Sequence, residues 1–83
     1  MRMTRQEILE KLAEILEETM GEGSAEGFSE DTGLMDGLGL SSVDMLYLII
    51  ATEESFGIRF SNIGIMDLRT VGEVADYIEA KLK

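Results

Sequence analysis

The sequence predicts an all-α fold: three main helices, one short third helix, and a long ordered loop between helices one and two. Three segments carry apolar residues at the helical period, and no segment alternates with period two for long enough to form a strand. Each main segment also opens with a capping-box pattern, in which a side chain at each end accepts a hydrogen bond from an unpaired backbone amide. We expect a single domain over residues 1–83.

The first helix is predicted over about residues 4–20, because Thr4-Arg5-Gln6-Glu7 matches a capping box and apolar positions follow at helical spacing. Gly21 is predicted to end it as a left-handed cap. The positions expected to face the core are Ile8, Leu12, Ile15, Leu16 and Thr19.

The connection over residues 21–41 contains six glycines and is longer than a bundle loop usually is, which indicates a function. It also contains four apolar residues that are spaced to reach back into a core. These are Phe28, Leu34, Leu38 and Leu40. We therefore expect an ordered loop, with a short helical turn near Leu34.

The second helix is predicted from Ser42 to about Ser55, with Ser41 as N-cap and Asp44 as the third residue of a second capping box. Asp44 also complements the positive end of the helix dipole. Because Ser41 caps the helix, the hydroxyl of Ser42 is free for another role.

Two apolar stripes run along this second helix. The stripe suited to a core contains Met45, Leu48, Ile49, Thr52 and Phe56. The second stripe contains Val43, Leu46, Tyr47 and Ile50. A helix apolar over so much of its circumference is either surrounded or partly exposed for binding. We favour binding for part of the second stripe, and a central helix buried on most sides is the alternative.

The last third of the chain predicts two further helices. Ser61 is suited to cap a single turn over residues 62–66. The last helix opens with Thr70-Val71-Gly72-Glu73, a third capping box, and has Lys81 and Lys83 near its negative end. Its expected buried stripe contains Val71, Val74, Ala75, Ile78 and Leu82.

Composition narrows the function classes. The chain has no Cys and no His, so we expect no metal site, no autonomous enzyme and a reducing compartment. The net charge is −10, and no Lys or Arg lies between Lys11 and Arg59, an interval with eleven acids. The negative electrostatic field of these acids favours binding to basic protein surfaces over binding to nucleic acid or anionic lipid.

The polar N-terminal residues and the short apolar runs predict no signal peptide and no membrane insertion. We therefore expect a cytoplasmic protein, and we expect it to be a monomer.

Two segments carry a resemblance to a known family. The segments Leu34-Met35-Asp36-Gly37-Leu38-Gly39-Leu40-Ser41-Ser42-Val43-Asp44 and Glu53-Glu54-Ser55-Phe56-Gly57-Ile58 resemble the acyl carrier proteins. The usual pattern of that family is Asp-Leu-Gly-x-Asp-Ser-Leu-Asp, then a helix ending in Glu-Glu-x-Phe. The match continues through Thr70-Val71 to Asp76-Tyr77-Ile78. It implies a four-helix carrier-protein bundle.

The resemblance implies that Ser42 carries 4′-phosphopantetheine, transferred from coenzyme A by a separate phosphopantetheinyl transferase. The thiol of that arm would hold an acyl group as a thioester. Ser41 and Gly39, which precede the attachment point, are also expected to bind the cofactor, and Gly37 and Gly39 are expected to leave room for the transferase and the arm. The cofactor must supply the thiol because the chain has no Cys.

Further partners implied by the resemblance are acyl-loading and acyl-transferring enzymes of fatty-acid, lipid or polyketide synthesis, with basic or partly apolar docking surfaces. The residues expected to contact partners or the acyl chain are Val43, Asp44, Leu46, Tyr47, Ile50, Glu53, Glu54, Ile63 and Ile65. Leu46, Ile50, Ile63 and Ile65 are the candidate acyl-pocket residues, with Ala75 as the floor.

Several residues depart from the family pattern. Ser41 replaces a usual Asp, Gly37 replaces a common acid, and Tyr47 stands at a position that is typically Glu. The segment over residues 63–66 is apolar, and Arg59 is basic. These changes favour a specialised carrier over a housekeeping carrier. Two alternatives stay open: a helical adaptor without a prosthetic group, and an aminoacyl or peptidyl carrier.

Overall fold

The computed structural model describes residues 3–21, 23, 27–61, 64 and 67–82. Within these residues there are three helices: α1 (Arg5–Met20), α2 (Ser42–Phe56) and α3 (Val71–Leu82). The described residues contain no β-strand and only an isolated antiparallel bridge between Gly33 and Thr70. The predicted all-α fold is confirmed. Of the short helix predicted over residues 62–66, the structure describes only Gly64, so Ile63 and Ile65 lie outside the described residues.

Both ends of α1 depend on local backbone geometry. The Thr4 hydroxyl accepts a hydrogen bond from the Glu7 amide at 3.1 Å, and the Glu7 carboxylate accepts one from the Thr4 amide at 2.8 Å, which confirms the predicted capping box. Gly21 ends α1 as predicted, but the predicted left-handed cap is wrong. Its φ of 111° and ψ of 163° lie outside the left-handed helical region, so the chain leaves α1 in an extended direction.

The core draws residues from all three helices and from both connections. Its buried apolar residues are Ile8, Leu12, Ile15, Leu16, Leu34, Leu40, Met45, Leu48, Phe56, Ile58, Leu68, Val71, Val74, Ala75 and Ile78. The predicted core stripes of the helices are therefore largely confirmed. Three of their members differ: Thr19 is exposed, and Ile49 and Leu82 are only partly buried. The Thr19 hydroxyl donates to the Ile15 carbonyl instead of packing in the core.

Residues 27–40 of the long connection pack on the helices, and we call this part the strap. Leu34 is 1% exposed and Leu40 is buried, while Phe28 and Leu38 pack against the core at its edge. A hydrogen-bonded turn follows Gly33, whose carbonyl accepts from the Leu38 amide at 2.8 Å. The predicted packing of these four apolar residues on the core is confirmed, whereas the turn near Leu34 is closed by a hydrogen bond across five residues and is not the predicted helical turn.

The strap is hydrogen-bonded to the start of α3. The Val71 amide donates to the Thr32 carbonyl at 3.1 Å, and the Gly72 amide donates to the Glu30 carbonyl at 2.9 Å. Amides in the first turn of a helix have no acceptor within their own helix, so the strap supplies two of the missing acceptors. A Cβ on Gly72 would lie 3.0 Å from the Glu30 carbonyl oxygen, which explains the glycine at this close approach.

Arg5 joins α1, the strap and α3. Its guanidinium pairs with the Glu30 carboxylate, with Asp76 at 2.9 Å and with Glu79 at 3.2 Å. Hydrogen bonding to Glu30 is the largest of the effects that raise the pKa of Arg5 above its ordinary value. One side chain therefore connects three elements that are distant in sequence.

Candidate functional site

The start of α2 is built by Ser41 and Asp44. The Ser41 hydroxyl accepts a hydrogen bond from the Asp44 amide at 3.2 Å, and the Asp44 carboxylate accepts one from the Ser41 amide at 2.9 Å. Ser41 has extended backbone angles, with φ of −82° and ψ of 174°, as an N-cap requires. The predicted capping box is confirmed, so the Ser41 side chain is engaged in holding the helix start.

Ser42 is the first helical residue, and its side chain is exposed. Within the described part of the chain, the Ser42 hydroxyl makes no hydrogen bond. The amides of Ser42 and Val43 belong to the first turn of α2 and have no acceptor within the helix. A free hydroxyl, two free amides and the positive end of the helix dipole therefore lie together, an arrangement that suits an anionic substituent.

The two glycines before Ser41 have different roles. Gly39 has a φ of 75°, and no atom lies within 4 Å of the place where its Cβ would stand, so the chain is open there. A Cβ on Gly37 would lie 2.4 Å from the Gly33 carbonyl oxygen. The expectation that Gly37 leaves room beside Ser42 is therefore wrong, because this glycine permits the close turn within the strap.

The second apolar stripe of α2 is exposed. Its members and their exposed fractions are Val43 59%, Leu46 50%, Tyr47 63% and Ile50 53%. We call these four residues the α2 face. The alternative of a central helix buried on most sides is wrong, because only the opposite stripe reaches the core. Four large apolar side chains at helical spacing on an exposed surface are typical of an interaction site.

The acids near the end of α2 differ in their surroundings. Glu53 is half-buried, and its carboxylate accepts a hydrogen bond from the Phe60 amide at 2.8 Å. Glu54 is exposed. An open groove of about 520 Å³ lies beside them, and it is lined by Ile50, Glu53, Glu54, Gly57, Ile58 and Arg59.

The three candidate acyl-pocket residues that the structure describes, Leu46, Ile50 and Ala75, do not share one burial environment. Leu46 and Ile50 are on the surface, whereas Ala75 is fully buried. A separate apolar cleft of about 10 Å³ lies among the helices, lined by Leu12, Leu16, Phe28, Leu34, Leu48, Val71 and Val74. That volume is about the minimum for one water molecule, so a chain of methylenes would enter there only if the helices moved apart.

Sequence reasoning missed the contacts that fix the segment after α2. The Tyr77 hydroxyl accepts a hydrogen bond from the Ser61 amide at 3.0 Å. The Phe60 ring stacks on the Tyr77 ring with centroids 4.7 Å apart. Phe60 and Tyr77 are 17 positions apart in the sequence, so no helical or strand spacing signals their contact.

A small helical bundle with an exposed serine at a helix start, and an apolar helix face next to it, has the architecture of a carrier domain. The family model described as "Phosphopantetheine attachment site" matches residues 7–78. The acyl carrier protein of Thermotoga maritima is 33% identical over 95% of this chain and 96% of its own length. The meromycolate extension acyl carrier protein of Mycobacterium leprae is 33% identical over 95% of this chain and 68% of its own length.

A solved structure of the acyl carrier protein from Enterococcus faecalis superposes with a TM-score of 0.75 at 28% identity, covering 95% of this chain and 99% of that one. The chain belongs to the acyl carrier protein family. Its function is that of an acyl carrier in fatty-acid or lipid synthesis, and its prosthetic group is 4′-phosphopantetheine. None of the helices within the described residues is long and apolar enough to cross a membrane.

Proposed function

We propose that Ser42 is the residue that carries 4′-phosphopantetheine. The observation that supports this assignment is the division between the two adjacent serines. Ser41 holds the helix start through both hydrogen bonds of its capping box. Ser42 is exposed, and its hydroxyl has no partner within the described residues.

The surroundings of Ser42 fit the phosphate of the arm. The amides of Ser42 and Val43 would lie beside a phosphodiester at this hydroxyl, at the end of α2 where the dipole favours an anion. Gly39 leaves open space on the approach to the site. The bound arm supplies the thiol that this chain, which lacks Cys, does not have.

Mass spectrometry tests the assignment. The protein is incubated with coenzyme A and a broad-specificity phosphopantetheinyl transferase, and the added mass of one arm is expected. Ser42→Ala should abolish the addition, whereas Ser41→Ala keeps the neighbouring hydroxyl and should be modified. The reverse pattern would move the site by one residue. No addition with several transferases would favour the adaptor without a prosthetic group.

The α2 face serves as the docking surface for the transferase and for acyl-loading and acyl-transferring enzymes. Four exposed apolar side chains stand within a region that carries eleven acids and no Lys or Arg between Lys11 and Arg59. The complementary partner surface is an apolar patch rimmed by Lys and Arg. Like charges disfavour a second copy of this chain on the same face, so the carrier acts as a monomer. As part of the same proposal, it works in the cytoplasm and leaves catalysis to its partners.

The exposed Tyr47 supports a specialised set of partners. It is the most exposed member of the α2 face, and aromatic side chains are enriched at the centres of interfaces. Cells that lack their housekeeping carrier should not be rescued by this protein, and generic fatty-acid synthase enzymes should use it slowly. Full rescue, or a full rate with those enzymes, would contradict the specialised role.

A further inference from the structure

Residues 59–61 are held between α2 and α3 by side chains from both helices. From α2, the Glu53 carboxylate accepts a hydrogen bond from the Phe60 amide at 2.8 Å. From α3, the Tyr77 hydroxyl accepts one from the Ser61 amide at 3.0 Å, and its ring stacks on Phe60 at an interplanar angle of 11°. We call these contacts the latch.

The latch lies within the connection that joins α2 to α3 and covers part of the core. Ile58 precedes the latched residues, and Leu68 follows them, and both of these side chains are buried. Phe60 itself is partly buried against the core. Release of residues 59–61 would therefore loosen part of the wall of the apolar interior.

The same carboxylate is reachable from outside. Glu53 lines the open groove at the end of α2 together with Glu54 and Arg59. Ile50 also lines this groove, so the groove is continuous with the α2 face.

The last turn of α2 contains no basic residue of its own, and the nearby cation from α1 is Lys11, whose ammonium lies 6.0 Å from the centroid of the Phe56 ring and does not line the groove. The groove is lined by the carboxylates of Glu53 and Glu54, by the negative end of α2 and by one arginine, Arg59. The electrostatic potential in the groove is therefore negative.

We propose that Glu53 is a positioning residue that couples docking on the α2 face to release of residues 59–61. An arginine of the partner enzyme that pairs with Glu53 bidentately turns the carboxylate toward the partner and away from the Phe60 amide. The Phe60 amide then loses its acceptor, and the connection loosens while the partner is bound. This inference rests on the proposed docking role of the α2 face, and it is independent of which serine carries the arm.

The first experiment measures the latch in the unmodified protein by amide hydrogen exchange, detected residue by residue by NMR. Hydrogen bonds to charged groups protect strongly, so Glu53→Asp, whose shorter side chain withdraws the carboxylate, should speed exchange at Phe60 about tenfold or more. Glu53→Gln keeps an acceptor and should retain most of the protection. Glu54→Gln removes a neighbouring charge without touching the latch, and exchange at Phe60 should not change.

The second experiment adds a saturating phosphopantetheinyl transferase without coenzyme A, so that docking occurs and modification does not. Exchange at Phe60 should rise severalfold in the complex with the wild-type carrier, while exchange at Val71, which is hydrogen-bonded to the strap, stays constant. Glu53→Gln should bind the transferase more weakly and keep Phe60 protected in the complex. Glu53→Asp should bind with nearly wild-type affinity.

Two results would overturn the proposal: unchanged exchange at Phe60 in Glu53→Asp, or full protection of Phe60 in the wild-type complex at saturation. Neither result bears on the attachment site, because that site is tested separately by adding coenzyme A and measuring the masses of Ser41→Ala and Ser42→Ala. Failure of the Ser42 assignment would appear only in the masses of these two serine variants.

Discussion

The two sides of this molecule use their polar and charged groups in opposite ways. On the side of the strap, Arg5 pairs with three carboxylates, and the strap supplies acceptors to the first amides of α3. On the α2 face, four large apolar side chains are exposed, and the hydroxyl of Ser42 has no partner within the described residues. On the side of the strap, the polar and charged groups bind to one another. On the side of the α2 face, the Ser42 hydroxyl and the apolar side chains remain available to other molecules.

This difference shows where the fold tolerates change. An 83-residue chain has few residues to form a core, so exposing four large apolar side chains on one helix forgoes burial that would stabilise it. The strap offsets this loss by adding its own apolar residues to the core. Substitutions on the strap should therefore change stability, whereas those on the α2 face should change binding.

The largest expected effect comes from two leucine truncations that differ only in location. Leu34→Ala removes a side chain that is 1% exposed, and about 2–5 kcal/mol of unfolding free energy should be lost. Leu46→Ala removes one that is 50% exposed, and the change should stay within about 0.5 kcal/mol. Urea denaturation measures both. Equal losses would show that the α2 face also contributes to the core.

A smaller effect is expected at the adjacent serines. Ser41→Ala removes an N-cap acceptor and should cost about 1 kcal/mol. Ser42→Ala leaves the capping box intact and should leave the thermal midpoint nearly unchanged while abolishing attachment of the arm. Calorimetry measures the thermal midpoints of both variants without the arm, and the difference between them tests which serine stabilises the helix. A larger loss of stability in Ser42→Ala than in Ser41→Ala would contradict the assigned division of roles.

The smallest effect is expected at Arg5. Arg5→Met leaves three carboxylates without their common cation and should cost up to about 1 kcal/mol at low salt, since each pair is partly exposed. The loss should shrink in about 1 M salt, where the screening length falls to about 3 Å. Arg69→Met is the control, because the Arg69 side chain makes no ion pair within the described residues. A loss that salt does not reduce would point to packing by the Arg5 stem instead of charge.

The sequence by itself determined the helices, their starts and most of the core. Capping boxes and the 3.6-residue period are local patterns, so Thr4, Ser41 and the buried stripes are evident from neighbours a few positions apart. The same local patterns carry the family resemblance around Ser42. Gly21 is the local exception, because glycine permits several positive-φ conformations and only one of them is the left-handed cap.

Only the tertiary structure decided which side chains are buried or paired with other groups of the chain and which remain exposed. Both stripes of α2 are apolar in sequence, and packing against α1 and the rest of the core selects the one that is buried. The contacts of Arg5 with Glu30 and Asp76 depend on chain segments that meet only in the folded state. The same holds for Glu53 and Tyr77, which hold residues 59–61. Long-range contacts leave no spacing signal, because their geometry is set by how the helices pack.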